Sequence, residues 1–172
     1  MAASEHMIEH VTAPTDEART LVDELEATLA AEYPAEQRHG FAIEALFRPG
    51  VHFFLARDTR SAIGCCGVAF DDGFAELKRM YVRDAARANG VADALLAHVE
   101  AVTIACEIAR LRLETGERQF AALRFYDRAG FIRTRAFGAY ATMAPDAIAT
   151  SIFMEKRLRR ATSDRCATRA RS

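Results

Sequence analysis

Residues able to do chemistry gather at one junction of this chain, Tyr81-Val82-Arg83-Asp84-Ala85-Ala86-Arg87-Ala88-Asn89-Gly90-Val91-Ala92. A strand-like run ends there and a helical run begins. A helix N-terminus presents unpaired backbone N–H groups and the positive end of the helix dipole, which suits an anion. The small residues Ala88, Gly90 and Ala92 let phosphate oxygens approach the main chain, and Arg87 adds a charged donor. The junction lacks the Gly-Lys-Ser/Thr of a Walker A loop and the spacing of GxGxxG. A nucleoside triphosphate or a Rossmann dinucleotide is therefore a poor fit. Elsewhere the reactive residues are sparse. Cys65 and Cys66 are adjacent on a strand-like run and would point to opposite faces, with no evident His–Asp partner for a covalent acyl-enzyme. The four cysteines form no CxxC, so neither a zinc site nor a disulfide framework is expected, and a reducing cytoplasm fits. His6 and His10 flank a short strand-like stretch and are expected as surface or partly buried histidines; no metal site is expected.

Positioning that junction takes a core, and the composition supplies one. The chain has 172 residues, 51% hydrophobic and 27% charged, which argues for one folded domain and against disorder over most of its length. Basic and acidic residues number 23 and 24, so the whole carries no polyanion-binding signature and nucleic acid is not an expected partner. The balance is uneven, since 157–172 holds six Arg against one Asp. The reading is a domain over 1–156 followed by a basic tail over 157–172 that needs no ordered structure. No run of 18 uncharged apolar residues occurs, so no membrane span is expected. Met1–His10 has Glu5 and Glu9 and no apolar stretch, unlike a secretory signal.

The elements read as follows. Met7–Val11 is a short strand, and Thr15 caps a helix carrying Leu21, Val22, Leu25 and Leu29 at helical spacing. That helix ends at Tyr33-Pro34, because the residue before proline avoids the α region. A second helix is predicted over Ala35–Phe47. Three strands follow at His52–Arg57, Ala62–Phe70 and Phe74–Val82, joined by hairpin turns at Thr59-Arg60-Ser61 and Asp71-Asp72-Gly73. A long helix starts near Asn89–Gly90, then a strand at Leu111–Glu114 and a helix at Gln119–Arg128 closed by Gly130. Phe131–Phe137 and Ser151–Leu158 supply two last strands. This is a mixed α/β layout with helices packed on a sheet.

On these residues the sequence resembles the GNAT (GCN5-related N-acetyltransferase) superfamily. Arg87-Ala88-Asn89-Gly90-Val91-Ala92 matches its Arg/Gln-x-x-Gly-x-Gly/Ala signature. Glu76-Leu77-Lys78-Arg79-Met80-Tyr81-Val82 looks like the family's fourth strand. Leu113-Glu114-Thr115-Gly116 and Ala122-Leu123-Arg124-Phe125-Tyr126-Asp127-Arg128-Ala129-Gly130-Phe131 look like its fifth strand and the helix after it. The resemblance implies a mostly antiparallel central sheet that splays between strands 4 and 5, with helices on both faces and acetyl-CoA entering the gap. It further implies that main-chain groups of Met80, Tyr81 and Val82 pair with the pantetheine like an added strand. Backbone N–H groups from Arg87, Ala88, Asn89, Gly90, Val91 and Ala92 would hold the pyrophosphate. Gln119 stands where many members carry an Asn that bonds the cofactor arm.

For catalysis, the resemblance places Tyr126 as proton donor to the leaving thiolate and Glu76 as general base, with a water relay as the alternative to Glu76. Read without it, Tyr126 is a packed aromatic, Arg87 a solvated loop residue, and Glu76 an edge carboxylate or the ion-pair partner of Lys78 or Arg79. The implied activity is acetyl transfer from acetyl-CoA to a primary amine of a small molecule, amino acid or peptide, by direct attack and without a metal. The resemblance puts the acceptor between Tyr33–Arg48, with Glu36, Arg38, His39 and Glu44, and Phe137–Ser151, with Tyr140 and Asp146. A rival is a non-catalytic acyl-CoA-binding module on the same fold. RNA binding by the Arg-rich tail ranks last. Homodimers are common in the family, which leaves that state open here.

Overall fold

Apolar side chains on both faces of the central strands decide the layering. Phe53, Leu55 and Cys65 pack on one side of the sheet, while Phe54, Ala56 and Cys66 pack on the other. The computed structural model describes residues 6–159. The strands are β1 (Met7–Val11), β2 (Val51–Arg57), β3 (Ala62–Asp71), β4 (Phe74–Val82), β5 (Arg110–Gly116), β6 (Ile132–Arg133) and β7 (Ser151–Arg157), in the spatial order β1-β2-β3-β4-β5-β7-β6. Every neighbouring pair is antiparallel except β4–β5, which is parallel.

Helix α1 (Asp16–Ala30) buries Ala18, Leu21 and Val22 against the Phe53–Leu55 face. Its start is where the sequence puts it: Ala18 N–H donates to Thr15 Oγ1 at 3.2 Å, and Asp16 and Glu17 occupy the first turn. Helices α2 (Val91–Ala105) and α3 (Phe120–Arg128) cover the opposite face through Leu95, Val99, Leu123 and Tyr126. Among the described residues, no helix is long and apolar enough to cross a membrane.

Two features of β4 create the site. Its pairing with β5 covers only Ala75–Leu77 against Leu111–Leu113; from there β4 stays with β3 as far as Val82 while β5 stays with β7 as far as Gly116. The two strands therefore part. Second, β4 carries an extra residue: Arg79 and Met80 together face Cys66, and Arg79 sits at φ +53°. A bulge of this kind reverses which face each later residue takes. Before it Leu77 packs toward α2 and α3; after it Met80 and Val82 do so, while Tyr81 turns toward α1.

Three expectations are corrected. Ala35–Phe47 is not a helix but two 3₁₀ turns, Ala35–Gln37 and Ile43–Phe47. The carbonyl of Phe41 accepts from Arg79 Nε at 2.9 Å, which takes it out of any helical ladder. Gly40 lies against the same guanidinium, where a Cβ has no room. The strand expected over Phe131–Phe137 is reduced to Ile132–Arg133, since after Thr134 N–H bonds Phe153 O the chain turns Phe137 inward onto Tyr140 and Phe153. Finally, β7 includes Arg157 and Leu158 is buried, so these two belong to the folded part. The rest of the basic tail, from 160 on, lies outside the described residues.

Candidate active site

The parting of β4 and β5 opens a cleft with a cavity of about 120 Å³ at its mouth. One wall is mostly main chain. Beyond Leu77, β4 has no partner in β5, and its end leads through the 3₁₀ turn Asp84–Ala86 to the N-terminus of α2. Ala88 at φ +61° and Gly90 at φ +79° twist that loop into left-handed backbone, and nothing lies within 4 Å of a Cβ placed on Gly90. The loop thus has an open concave surface. Arg87 braces it by donating from Nε to Val82 O at 3.1 Å and pairing with Asp84 at 2.9 Å, with the side chain still 55% exposed. Asn89 O accepts from His6 Nε2 at 2.7 Å, tying the loop to the chain just before β1.

The opposite wall is made of side chains. Glu76 and Lys78 point from β4 toward the Phe137–Ser151 segment, where Tyr140 meets both. Lys78 Nζ lies 2.6 Å from Glu76 Oε1 and 2.7 Å from Tyr140 Oη, and Tyr140 donates to Glu76 at 2.8 Å. Burial and the Glu76 charge push the Tyr140 hydroxyl pKa far up, so it stays protonated. The ion-pair partner that the sequence offered for Glu76 is present.

A second carboxylate escaped the sequence reading. Glu114, on β5, lines the same cleft and accepts from Ser151 Oγ at 2.7 Å. Burial raises its pKa above the ordinary carboxylate value. The only signal in the sequence was a lone acid between apolar Leu113 and the Thr115-Gly116 strand end.

Tyr126 projects from α3 into the cleft beside Met80. Its ring packs edgewise on Phe125 and Phe131, and no described residue hydrogen-bonds its hydroxyl. Burial raises its pKa, with Cys66 and Glu114 adding to the shift. Gln119 also reaches the cleft, at the residue preceding α3, but its amide donates to Glu32. Burial pushes the Cys65 thiol up to about 12 and that of Cys66 well above its usual value, so both stay protonated and neither is a nucleophile at neutral pH. No group of three or more metal-ligating side chains occurs among the described residues.

The structure therefore brings Glu76, Met80, Gln119 and Tyr126 into one cleft and leads β4, through Tyr81 and Val82, to the Arg87–Ala92 loop. Comparison with known proteins bears on the family and the fold. A curated relative from Azospirillum brasilense, "IAA acetyltransferase", is 36% identical over 140 residues, spanning 80% of this chain and 88% of that protein. A GNAT-family acetyltransferase structure from Staphylococcus aureus superposes with a TM-score of 0.70 at 18% identity, over 89% of this chain and all of that one. The PaiA N-acetyltransferase from Thermoplasma acidophilum, solved with coenzyme A, gives a TM-score of 0.63 at 20% identity over 88% and 99% of the two chains. At those identities the two structures speak for the fold. The sequence profile of the acetyltransferase (GNAT) family matches residues 18–131, more than half of the chain, and on that match together with the curated relative this protein belongs to the GNAT acetyltransferase family.

Proposed function

We propose that the protein moves an acetyl group from acetyl-CoA to a primary amine by direct attack, with both substrates bound together. The observation that carries the reading is the gap between β4 and β5, which holds two carboxylates and a buried hydroxyl and leads along β4 to an open left-handed loop at the N-terminus of α2. The residues fit a CoA. The unpartnered stretch of β4 from Lys78 to Val82 offers main chain for a strand-like arm. The left-handed loop and the N-terminus of α2 offer amides to a pyrophosphate. Bound acetyl-CoA supplies an activated thioester carbonyl.

The chain's own groups then have three tasks. Of the two carboxylates we assign the base role to Glu114, whose pKa burial raises above the ordinary carboxylate value. It takes the proton of the attacking amine, and Glu76, anchored by Lys78 and Tyr140, holds negative charge where the amine arrives. Backbone N–H near Met80 polarises the thioester oxygen as it gains charge. Tyr126 holds its proton too tightly to surrender it, so it donates a hydrogen bond to the departing sulfur. The amide bond forms as the carbon–sulfur bond breaks. The proton removed from nitrogen ends on the thiol by way of the carboxylate and water. Incubation with acetyl-CoA and a panel of primary amines, following free thiol, tests the activity; bound CoA with no release for any amine excludes it.

A further inference from the structure

We propose that the acceptor is an α-amino acid with a large apolar or aromatic side chain, its carboxylate held by Arg38 and its side chain seated in a second cavity beyond Tyr140. This deepens the acetyl-transfer reading and rests on it. Three observations converge.

The first is an imbalance of charge on the α1 side of the cleft. Glu26 accepts from both Arg38 and Arg79, so one carboxylate serves two guanidinium groups. Arg79 is fully engaged: it is only 7% exposed, bonds Glu26 at 2.8 Å and gives its Nε to Phe41 O. Arg38 is not. Its Nε is buried without a hydrogen-bond partner, the one such side-chain atom among the described residues. Nε itself is closed off, but the Arg38 side chain is still 20% exposed and lines the reaction cleft with Glu76 and Glu114. An anionic group beside the reacting amine would give its guanidinium the charge partner that Glu26 divides with Arg79.

The second is a cavity of about 320 Å³ adjoining the first, with which it shares His39, Gly40, Glu76, Lys78 and Tyr140. Its further walls are Phe41, Phe70, Phe74 and Met143. This is room for one large side chain.

The third is that the charges facing this second cavity already have partners. Lys78 is held by Glu76, and Asp71 accepts from the Asp72 N–H of its own turn. The Arg48 guanidinium stacks on Phe41 with Cζ 4.7 Å from the ring centre. Apart from the Arg48 guanidinium, what remains for a guest is mostly apolar and aromatic surface.

An amino acid meets all three at once, because its amine and carboxylate are on one carbon and its side chain leaves from the same atom. A peptide N-terminus lacks the carboxylate and leaves Arg38 with only its share of Glu26. The products are an N-acetylamino acid and CoA thiol, the amine proton having moved to sulfur.

The test compares L-phenylalanine, L-phenylalaninamide and glycine as acceptors with acetyl-CoA. L-Phenylalanine is expected to exceed the amide in kcat/KM by about tenfold or more, the worth of one charge-assisted hydrogen bond, and glycine by about tenfold or more, the worth of burying a large apolar side chain. In Arg38→Gln the advantage over the amide disappears through KM while the advantage over glycine remains; Met143→Trp, which fills the second cavity, does the reverse. Equal rates for the acid and the amide overturn the proposal, as does a preference for glycine, and in both cases acetyl transfer stands. Titration of N-acetyl-L-phenylalanine into the CoA-bound protein provides a readout independent of turnover. Binding that Arg38→Gln abolishes without lowering the melting temperature supports the assignment, and no binding to the wild type overturns it. Failure of every amine, with or without CoA binding, overturns the acetyl-transfer reading itself.

Discussion

On the β4–α2 side of the cleft the working surface is main chain, held by regular elements and small residues: the end of β4, the loop at Ala88 and Gly90, and the first turn of α2. On the other side it is long charged and aromatic side chains. Glu76, Lys78 and Arg79 from β4 meet Tyr140 from a 3₁₀ turn and Glu26 from α1, and most of these partners are distant in sequence. Lys78 meets Tyr140 across 62 positions, and Arg79 meets Glu26 across 53. A surface of backbone amides can bind the same phosphate in chains that differ widely in side chains. A surface of paired charges specifies one kind of ligand, and changing either partner remakes it. The first wall suits a cofactor common to many reactions, and the second suits a particular acceptor.

The hardest blow to the main-chain wall is Gly90→Glu. It puts a carboxylate into the open space at the loop, and CoA affinity is expected to fall by about 10²-fold or more, the equivalent of roughly 3 kcal/mol. Some instability accompanies it, because a side chain at φ +79° costs about 1–2 kcal/mol. Gly90→Ala carries that strain without the charge and should bind CoA within a few-fold of wild type. Calorimetric titration of both variants separates charge from strain, and equal affinities would remove the loop from the cofactor site.

Tyr126→Phe tests the point where the two walls meet. The buried ring stays in place and the lost hydroxyl has no protein partner, so stability should change little. Loss of this one hydrogen-bond donor to the departing sulfur should lower turnover by about 10²-fold, with a much smaller change in KM for acetyl-CoA. Wild-type turnover in the Phe variant would make Tyr126 a core aromatic and nothing more.

A pH comparison of the two carboxylates is subtler. If Glu114 is the base, the acidic limb of kcat/KM follows its raised pKa and is lost in Glu114→Gln but kept in Glu76→Gln; the opposite result gives the role to Glu76. The same shift affects stability. Between the ordinary carboxylate value of 4.5 and the higher folded value, the folded chain keeps a proton that the unfolded chain has released. Stability is thus fully present below 4.5 and declines as pH rises through the folded pKa. Glu114→Gln should flatten that decline in melting curves taken across pH.

The smallest effect is expected at the outer brace of the main-chain wall. Arg83, just past β4, grips Glu24 of α1 at 2.8–3.2 Å, and this hydrogen-bonded pairing holds the Glu24 pKa below its usual value. Both side chains are 34% exposed, so Glu24→Gln should cost about 1 kcal/mol at most. A depressed pKa gives stability that is present above 4.5 and lost as pH falls through the folded value. The mutant and wild type should therefore melt alike in acid and differ only above that range.

The same division governed what could be read from the sequence. Strands β2–β4, the Thr15 cap and the loop before α2 follow from local pattern, since turn residues, alternation and small residues act within a few positions. The stretch 35–47 has a helical pattern, but Arg79, from a strand far along the chain, claims the Phe41 carbonyl and the space at Gly40. In the same way Phe137 leaves the expected last hairpin because Tyr140 and Phe153 offer it an aromatic pocket. Tertiary contacts overrode local preference at both places. Glu114 was hidden for another reason: its raised pKa comes from burial beneath elements joined only in three dimensions.

The early end of β4–β5 pairing at Leu77 and Leu113 has a consequence for the life of the protein outside the catalytic cycle. Lys78–Val82 is a sheet edge inside the molecule, and edges of that kind invite an unwanted strand. In the binding mode proposed above, a CoA arm would lie along it as the absent neighbour, and ligand supply and folding would then become one equilibrium. At a free ligand level about 100 times its Kd the folded form gains about 2.7 kcal/mol. Amide exchange along Lys78–Val82 should slow accordingly, and the protein's abundance in a cell should track the local pool of CoA thioesters.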